Sequence, residues 1–105
     1  MSQFDVYVNT NLASKKQYPL LLDVQHVVLS VLKTRIVIPL CQIETVEVIV
    51  MDVLMPTIRF NKQKYILMTP QIAAITDRML QKPVGTLEHS RAEVLAALDF
   101  SITGV

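Results

Sequence analysis

Apolar and polar positions change rhythm along the chain. Phe4-Asp5-Val6-Tyr7-Val8 alternates with the two-residue period of a strand. Asn9 to Gln17 is polar turn material. Tyr18 to Gln25 follows as a nearly continuous apolar run, which implies a strand covered on both faces, with Pro19 at its start or on an edge. Arg35-Ile36-Val37-Ile38-Pro39-Leu40 is rich in β-branched residues and predicts the clearest strand, stopped by Pro39 because proline brings no donor to a ladder. Pro56 to Phe60, then Asn61-Lys62-Gln63, then Lys64 to Thr69 is the pattern of a hairpin with a polar turn. Ile72 to Leu80 reads as a further strand, although its alanines also allow helix. Two segments stay open. His26 to Leu32 is apolar enough for core and equally suited to an exposed interaction patch. Ile43 to Met55 has strand propensity interrupted by Glu44, Glu47 and Asp52, so an irregular excursion with one short strand is expected.

After Gly85 the period changes to that of a helix. Leu87, Val94, Leu95, Leu98 and Ile102 recur at helical spacing among the strong helix formers Ala92, Ala96 and Ala97, predicting a helix from Leu87 to Ile102. Thr86, or Ser90 with Glu93 three residues on, can cap its start, and Gly104 suits the left-handed residue past its end. Several short strands closed by one helix give a mainly β domain, a small antiparallel barrel or sheet with a helix packed on it. The helix end is charged unfavourably. Asp99 and the Val105 carboxylate sit where the helix dipole is already negative, at a cost of about 0.3–1 kcal/mol. Either that end is fully solvated, or its acidity serves a basic partner.

Composition narrows the function. Of 105 residues, 51% are hydrophobic and 18% charged, and the mean hydropathy is +0.41, which leaves apolar surface for an oligomer interface. Every apolar run is broken by a charged residue or histidine before membrane-spanning length. Met1 to Asp5 lacks the basic and apolar regions of a signal peptide, and the single Cys41 fits a reducing compartment, so a cytoplasmic protein is expected. Ten basic against nine acidic residues gives no electrostatic basis for binding nucleic acid directly. Nucleophile-elbow, phosphate-loop and zinc-protease motifs are lacking, and His26 and His89 have no third metal ligand at a recognisable spacing. No catalytic residue, metal or cofactor is expected. Cys41 reads as buried filler, and Phe60 and Tyr65 among Arg59, Lys62 and Lys64 read more economically as a hairpin than as a nucleic-acid platform. The residues describe a small, dimeric binding protein.

Gln3-Phe4-Asp5-Val6-Tyr7, Asp23-Val24-Gln25, Arg35 to Leu40, Pro56, Met68-Thr69, Leu87 with His89, and Ile102-Thr103-Gly104-Val105 together resemble the CcdB toxins of bacterial toxin–antitoxin modules. The resemblance spans the whole chain as one domain and differs mainly in the loops at 9–17 and 41–55. It implies an SH3-like antiparallel barrel with a C-terminal helix, forming a symmetric homodimer. It also implies a toxin that inserts between the two DNA gyrase A subunits and stabilises the cleaved, covalently held DNA, without chemistry of its own. Carried over by position, the gyrase contacts fall on His26, Val28, Leu29, Asp99, Thr103, Gly104 and Val105. Thr103 stands where a family member carries tryptophan, and Thr76 where members carry proline. The implied partners are gyrase, a CcdA-like antitoxin whose disordered segment folds along the toxin, and operator DNA reached only through that antitoxin; plasmid maintenance and autoregulation of transcription go with such a module. Two alternatives use the same fold: a MazF-like ribonuclease toxin, which should present a basic groove, and an inactive relative that only binds the antitoxin.

Overall fold

A computed structural model describes residues 2–26, 32–42 and 53–103, with Thr103 described in its backbone only. Val28, Leu29, Gly104, Val105 and most of the 43–55 excursion lie outside the described residues.

Strands β1 (Asp5–Val8), β2 (Leu20–Asp23), β3 (Thr34–Gln42), β4 (Thr57–Phe60), β5 (Gln63–Leu67), β6 (Ala73–Thr76) and β7 (Gly85–Thr86) precede one helix, α1 (Arg91–Thr103). All strand pairs are antiparallel and follow the path β4-β5-β3-β2-β1-β7, with β6 pairing β3 off that path. The long strand β3 is central. One of its edges carries β2 along residues 37–40, and the other is divided between β6 at 34–37 and β5 at 40–42.

That division explains why Pro39 does not stop β3, contrary to the sequence expectation. The N and C=O of one strand residue point to the same edge, and the Pro39 carbonyl accepts the Met68 N–H at 3.0 Å. The donor that proline lacks therefore faces the gap where the neighbour changes from β6 to β5. No ladder bond is lost there, which is where a central strand tolerates proline.

Hairpin β4–β5 closes through Asn61 and Lys62, whose φ angles of 50° and 67° are the left-handed pair that matches strand twist. The two ends of the sheet path are brought together by packing. A Cβ on Gly85 in β7 would stand 2.6 Å from Cε1 and Cζ of Phe60 in β4, so the edge of the ring abuts the glycine and the sheet curls into a half-barrel.

Inside the curl, Phe4, Val6, Leu22, Ile38, Leu40, Ile58 and Leu67 pack with Leu87, Val94 and Ala97 of the helical segment. A smaller cluster on the outer face joins Tyr7, Val37 and Leu80, flanked by Leu21 and Ile75, so β2 and β3 are covered on both sides as their apolar runs imply. Phe4 ties the layers together at a positive φ of 72°. Its N–H donates to the Asp23 carbonyl at 2.6 Å, its carbonyl accepts the Leu87 N–H at 2.8 Å, and Arg91 lies over its ring at 5.5 Å.

The α-helix starts later than the spacing predicts. A 3-10 turn, Glu88–Ser90, occupies the first residues, and Thr86 Oγ1 accepts the Glu88 N–H at 3.2 Å. The apolar stripe also ends early. Leu95 and Leu98 are half-buried, as is Phe100, but Ile102 is 79% exposed, because its side of the last turn meets no cover among the described residues. The expected strand over 72–80 is only β6, followed by a 3-10 turn at Asp77–Met79.

Candidate functional site

The exposed end of α1 is built by what the helix leaves uncovered. Asp99 is exposed, and Ile102 follows it three residues on, within one turn of the same face. The last turn carries no basic residue, so the carboxylate adds to the negative end of the helix dipole. Ser101 Oγ donates to the Leu98 carbonyl at 2.8 Å, so the hydroxyl bonds back to the preceding turn of the helix. The tip thus joins acidic charge to a bare aliphatic side chain.

The second group of sequence-assigned residues begins at the exit of β2. Asp23, Val24 and Gln25 are buried while His26 is exposed, so the chain emerges between Gln25 and His26. Polar bonds hold that exit. The Gln3 side-chain amide donates to the Val24 carbonyl at 3.1 Å, Asp23 Oδ1 accepts the Gln25 N–H at 2.9 Å, and Gln25 Oε1 accepts the Ile36 N–H at 3.2 Å. Arg35 closes the network from β3, its Nε donating to Asp23 Oδ2 at 2.8 Å. Its Nη2 lies 2.6 Å from the same oxygen as an ion pair but out of line for a hydrogen bond, and Nη1 finds no partner among the described residues. Both side chains are almost wholly buried. The Asp23-Val24-Gln25 signature is therefore a latch on the segment that follows it.

Burial raises the Asp23 carboxyl above its ordinary value, even though the Gln25 amide and the Arg35 guanidinium favour its charged form. Tyr7 lies on the same outer face, with its hydroxyl buried and without a hydrogen-bond partner among the described residues. Burial first, then the charges of Asp5 and Asp23, push its pKa up to about 12 against the opposing pull of Arg35. Sequence reasoning missed Arg35 and Tyr7 as parts of this network. The available signal was an arginine in phase with Val37 and Pro39, facing the same side of an apolar strand.

Other candidates resolve plainly. Phe60 and Tyr65 are buried while Arg59, Lys62 and Lys64 are exposed, so the hairpin aromatics belong to the core and form no stacking platform. Cys41, the single cysteine of the chain, is buried. His89 is exposed on the 3-10 turn before α1. Thr76, where the resemblance implies proline, has φ −68° and ψ 139°, a backbone that a proline ring would accept. Among the described residues, no group of three or more His, Cys, Asp or Glu could hold a metal, and no helix is long and apolar enough to cross a membrane.

Fold and site define a class: a curled antiparallel half-barrel whose C-terminal helix and strand exit present side chains outward, as a binding module does. Within that class the chain belongs to the CcdB family, whose model, described as CcdB protein, matches residues 3–104. Membership implies a gyrase-targeting toxin of a toxin–antitoxin module, with gyrase and a CcdA antitoxin as partners. No curated protein matches the chain.

Proposed function

We propose that the protein binds the DNA gyrase A subunit and traps the gyrase–DNA cleavage complex, acting as a cytoplasmic, non-catalytic homodimer. The observation that carries this reading is the uncovered α1 tip, with Asp99 and Ile102 exposed in a chain of this family. Two such tips across a two-fold axis bring together carboxylates suited to arginines and aliphatic surface suited to an apolar patch. His26, Val28, Leu29, Thr103, Gly104 and Val105 complete the proposed contact, and the Asp23–Arg35 latch fixes the end of β2 just before His26.

The mechanism is a population shift. The toxin stabilises the cleaved state only by the difference between its affinities for that state and the resealed one, and reversing a 1:99 ratio takes about 10⁴-fold preference. Threonine at 103 offers less contact area than the tryptophan of a relative, so Ile102 becomes the main apolar anchor at the tip. The test is a cleavage assay with purified protein, gyrase, ATP and supercoiled plasmid, followed by detergent and protease. Linear DNA should rise with protein concentration, and Asp99→Lys should require at least about tenfold more protein. A folded protein that yields no linear DNA would refute gyrase poisoning; equal potency of Asp99→Lys would remove Asp99 from the contact.

A further inference from the structure

The tip of the β4–β5 hairpin carries charge that the gyrase reading does not use. No Asp or Glu occurs between Asp52 and Asp77, whereas Arg59, Lys62 and Lys64 crowd together in the middle of that stretch. Ten basic and nine acidic residues nearly cancel over the whole chain, but not here.

The strand register sharpens the imbalance. Phe60 and Gln63 close the turn as a hydrogen-bonded pair, and the Leu67 N–H donates to the Pro56 carbonyl at 3.0 Å in the same phase. Bonded and non-bonded pairs alternate, so Arg59 and Lys64, directly opposite one another, form a non-bonded pair, in which side chains stand closest. Like charges so placed destabilise a sheet. Both are exposed, as is Lys62, and none of the three pairs with a carboxylate among the described residues. Lys62 adds its charge at a φ of 67°, a turn position that ordinarily favours glycine.

A fourth side chain offers only donors as well. The Oε1 of Gln63 accepts from Gln42 Nε2 at 3.2 Å and from the Tyr65 hydroxyl at 3.1 Å. That anchors the oxygen and leaves the Gln63 amide nitrogen without an acceptor among the described residues. The exposed tip is therefore a cluster of donors and cations. Phe60 and Tyr65 are buried beneath it, so it has no aromatic surface on which unpaired bases could stack.

We infer that the exposed face of this hairpin binds the phosphate backbone of duplex DNA. An acidic peptide would bring N–H donors along with its carboxylates, whereas the phosphate backbone brings acceptors alone. A duplex also carries one charge for about every 1.7 Å of its axis, a density that suits three crowded cations. Phosphate oxygens between Arg59 and Lys64 turn their mutual repulsion into shared attraction. The contact carries no sequence preference, because it reads no base edge. It stands apart from gyrase binding, which uses the helix tip.

The probe is a fluorescein-labelled, mixed-sequence DNA duplex of roughly 20 base pairs, titrated by anisotropy with the full chain. Amide spectra of the ¹⁵N-labelled protein are recorded in parallel. At about 20 mM salt, saturable binding with a Kd of about 10⁻⁴ M is expected, and log affinity should fall against log salt with a slope of about −2.7, from three cations. The Asn61 and Gln63 amides should move. Arg59→Gln/Lys64→Gln should weaken binding at least about tenfold and flatten the slope to about −0.9. Unchanged circular dichroism would show that variant folded, and Lys62→Gln, which should flatten the slope by about 0.9, serves should the double variant disturb the hairpin. Lys15→Gln/Lys16→Gln removes the same charge from the 9–18 loop and should cost less than about threefold. No saturation by about 1 mM protein (roughly ten times the expected Kd), still Asn61 and Gln63 amides, an unaltered slope in the hairpin variants, or equal loss in the loop variant would overturn the proposal. Poly-glutamate that competes as well as unlabelled duplex would overturn it in favour of an acidic protein, and tighter binding of single-stranded DNA in favour of unpaired bases. Gyrase is absent throughout, so failure here leaves the gyrase reading standing, and the reverse.

Discussion

Replacing Tyr7 by phenylalanine tests how dry the outer-face network is. The hydroxyl is buried without a partner among the described residues, an arrangement that costs about 1–3 kcal/mol when a polar group is left unsatisfied. At neutral pH the variant should therefore be at least as stable as the parent. The decisive signal comes in alkali. The folded phenol holds its proton up to a pKa of about 12, whereas the unfolded one releases it near 10.0. Between those values the unfolded chain loses a proton that the folded chain keeps, so rising pH favours unfolding. At about 1.36 kcal/mol for each unit by which the two pKa values differ, the parent should lose roughly 2 kcal/mol from this residue between pH 10 and pH 12, each ionisation being half complete at its own pKa. The contribution is fully present below pH 10, and the phenylalanine variant lacks the loss altogether. Urea titrations of both proteins at half-unit steps from pH 8 to 12 would measure it as a difference. The other two of the three tyrosines and the lysines then cancel. The stability gap should widen by about 2–3 kcal/mol, and phenolate absorbance of the folded parent should show one late tyrosine. A constant gap over that range would mean that Tyr7 ionises as freely folded as unfolded, and the buried network would be wrong.

Three further outcomes follow from the same geometry. Asp23→Asn keeps an acceptor for Gln25 but strands Arg35 as a buried charge, so it should cost about 3–5 kcal/mol in a denaturant titration, and adding Arg35→Met should recover most of that. Because the folded carboxyl takes up its proton above the ordinary 3.8, Asp23 contributes stability at low pH that fades as pH rises through its folded value; this part of the acid profile should vanish in Asp23→Asn. Gly85→Ala pushes a methyl into the Phe60 ring and should lower stability by about 1–3 kcal/mol, with Phe60→Leu restoring much of it in thermal melts. Deleting Thr103–Val105 should abolish linear DNA in the gyrase assay while leaving melting nearly unchanged, because Ser101 and Ile102 just before the cut are already exposed; a fully active truncation would move the site elsewhere.

Much of this architecture is local chemistry and is legible in the order of the residues. The alternation of β1, the apolar runs of β2 and β3, the polar turn of the hairpin and the helical spacing after Gly85 each express a backbone period that side chains two or three to four positions apart must share. The acidic helix tip was readable for the same reason, since a helix dipole acts on its own last turn. Other features depend on which segments become neighbours. Pro39 continues a strand because β3 changes partner beside it, Gly85 is needed because Phe60 arrives from the far end of the sheet, and Ile102 leaves its apolar stripe because the cover stops one turn early. The pairing of Asp23 with Arg35 beside Tyr7, and a cavity between the 9–18 loop and β6, join residues tens of positions apart. Periodicity along a chain carries no information about such meetings. They are set by strand order and register, which only the folded sheet decides.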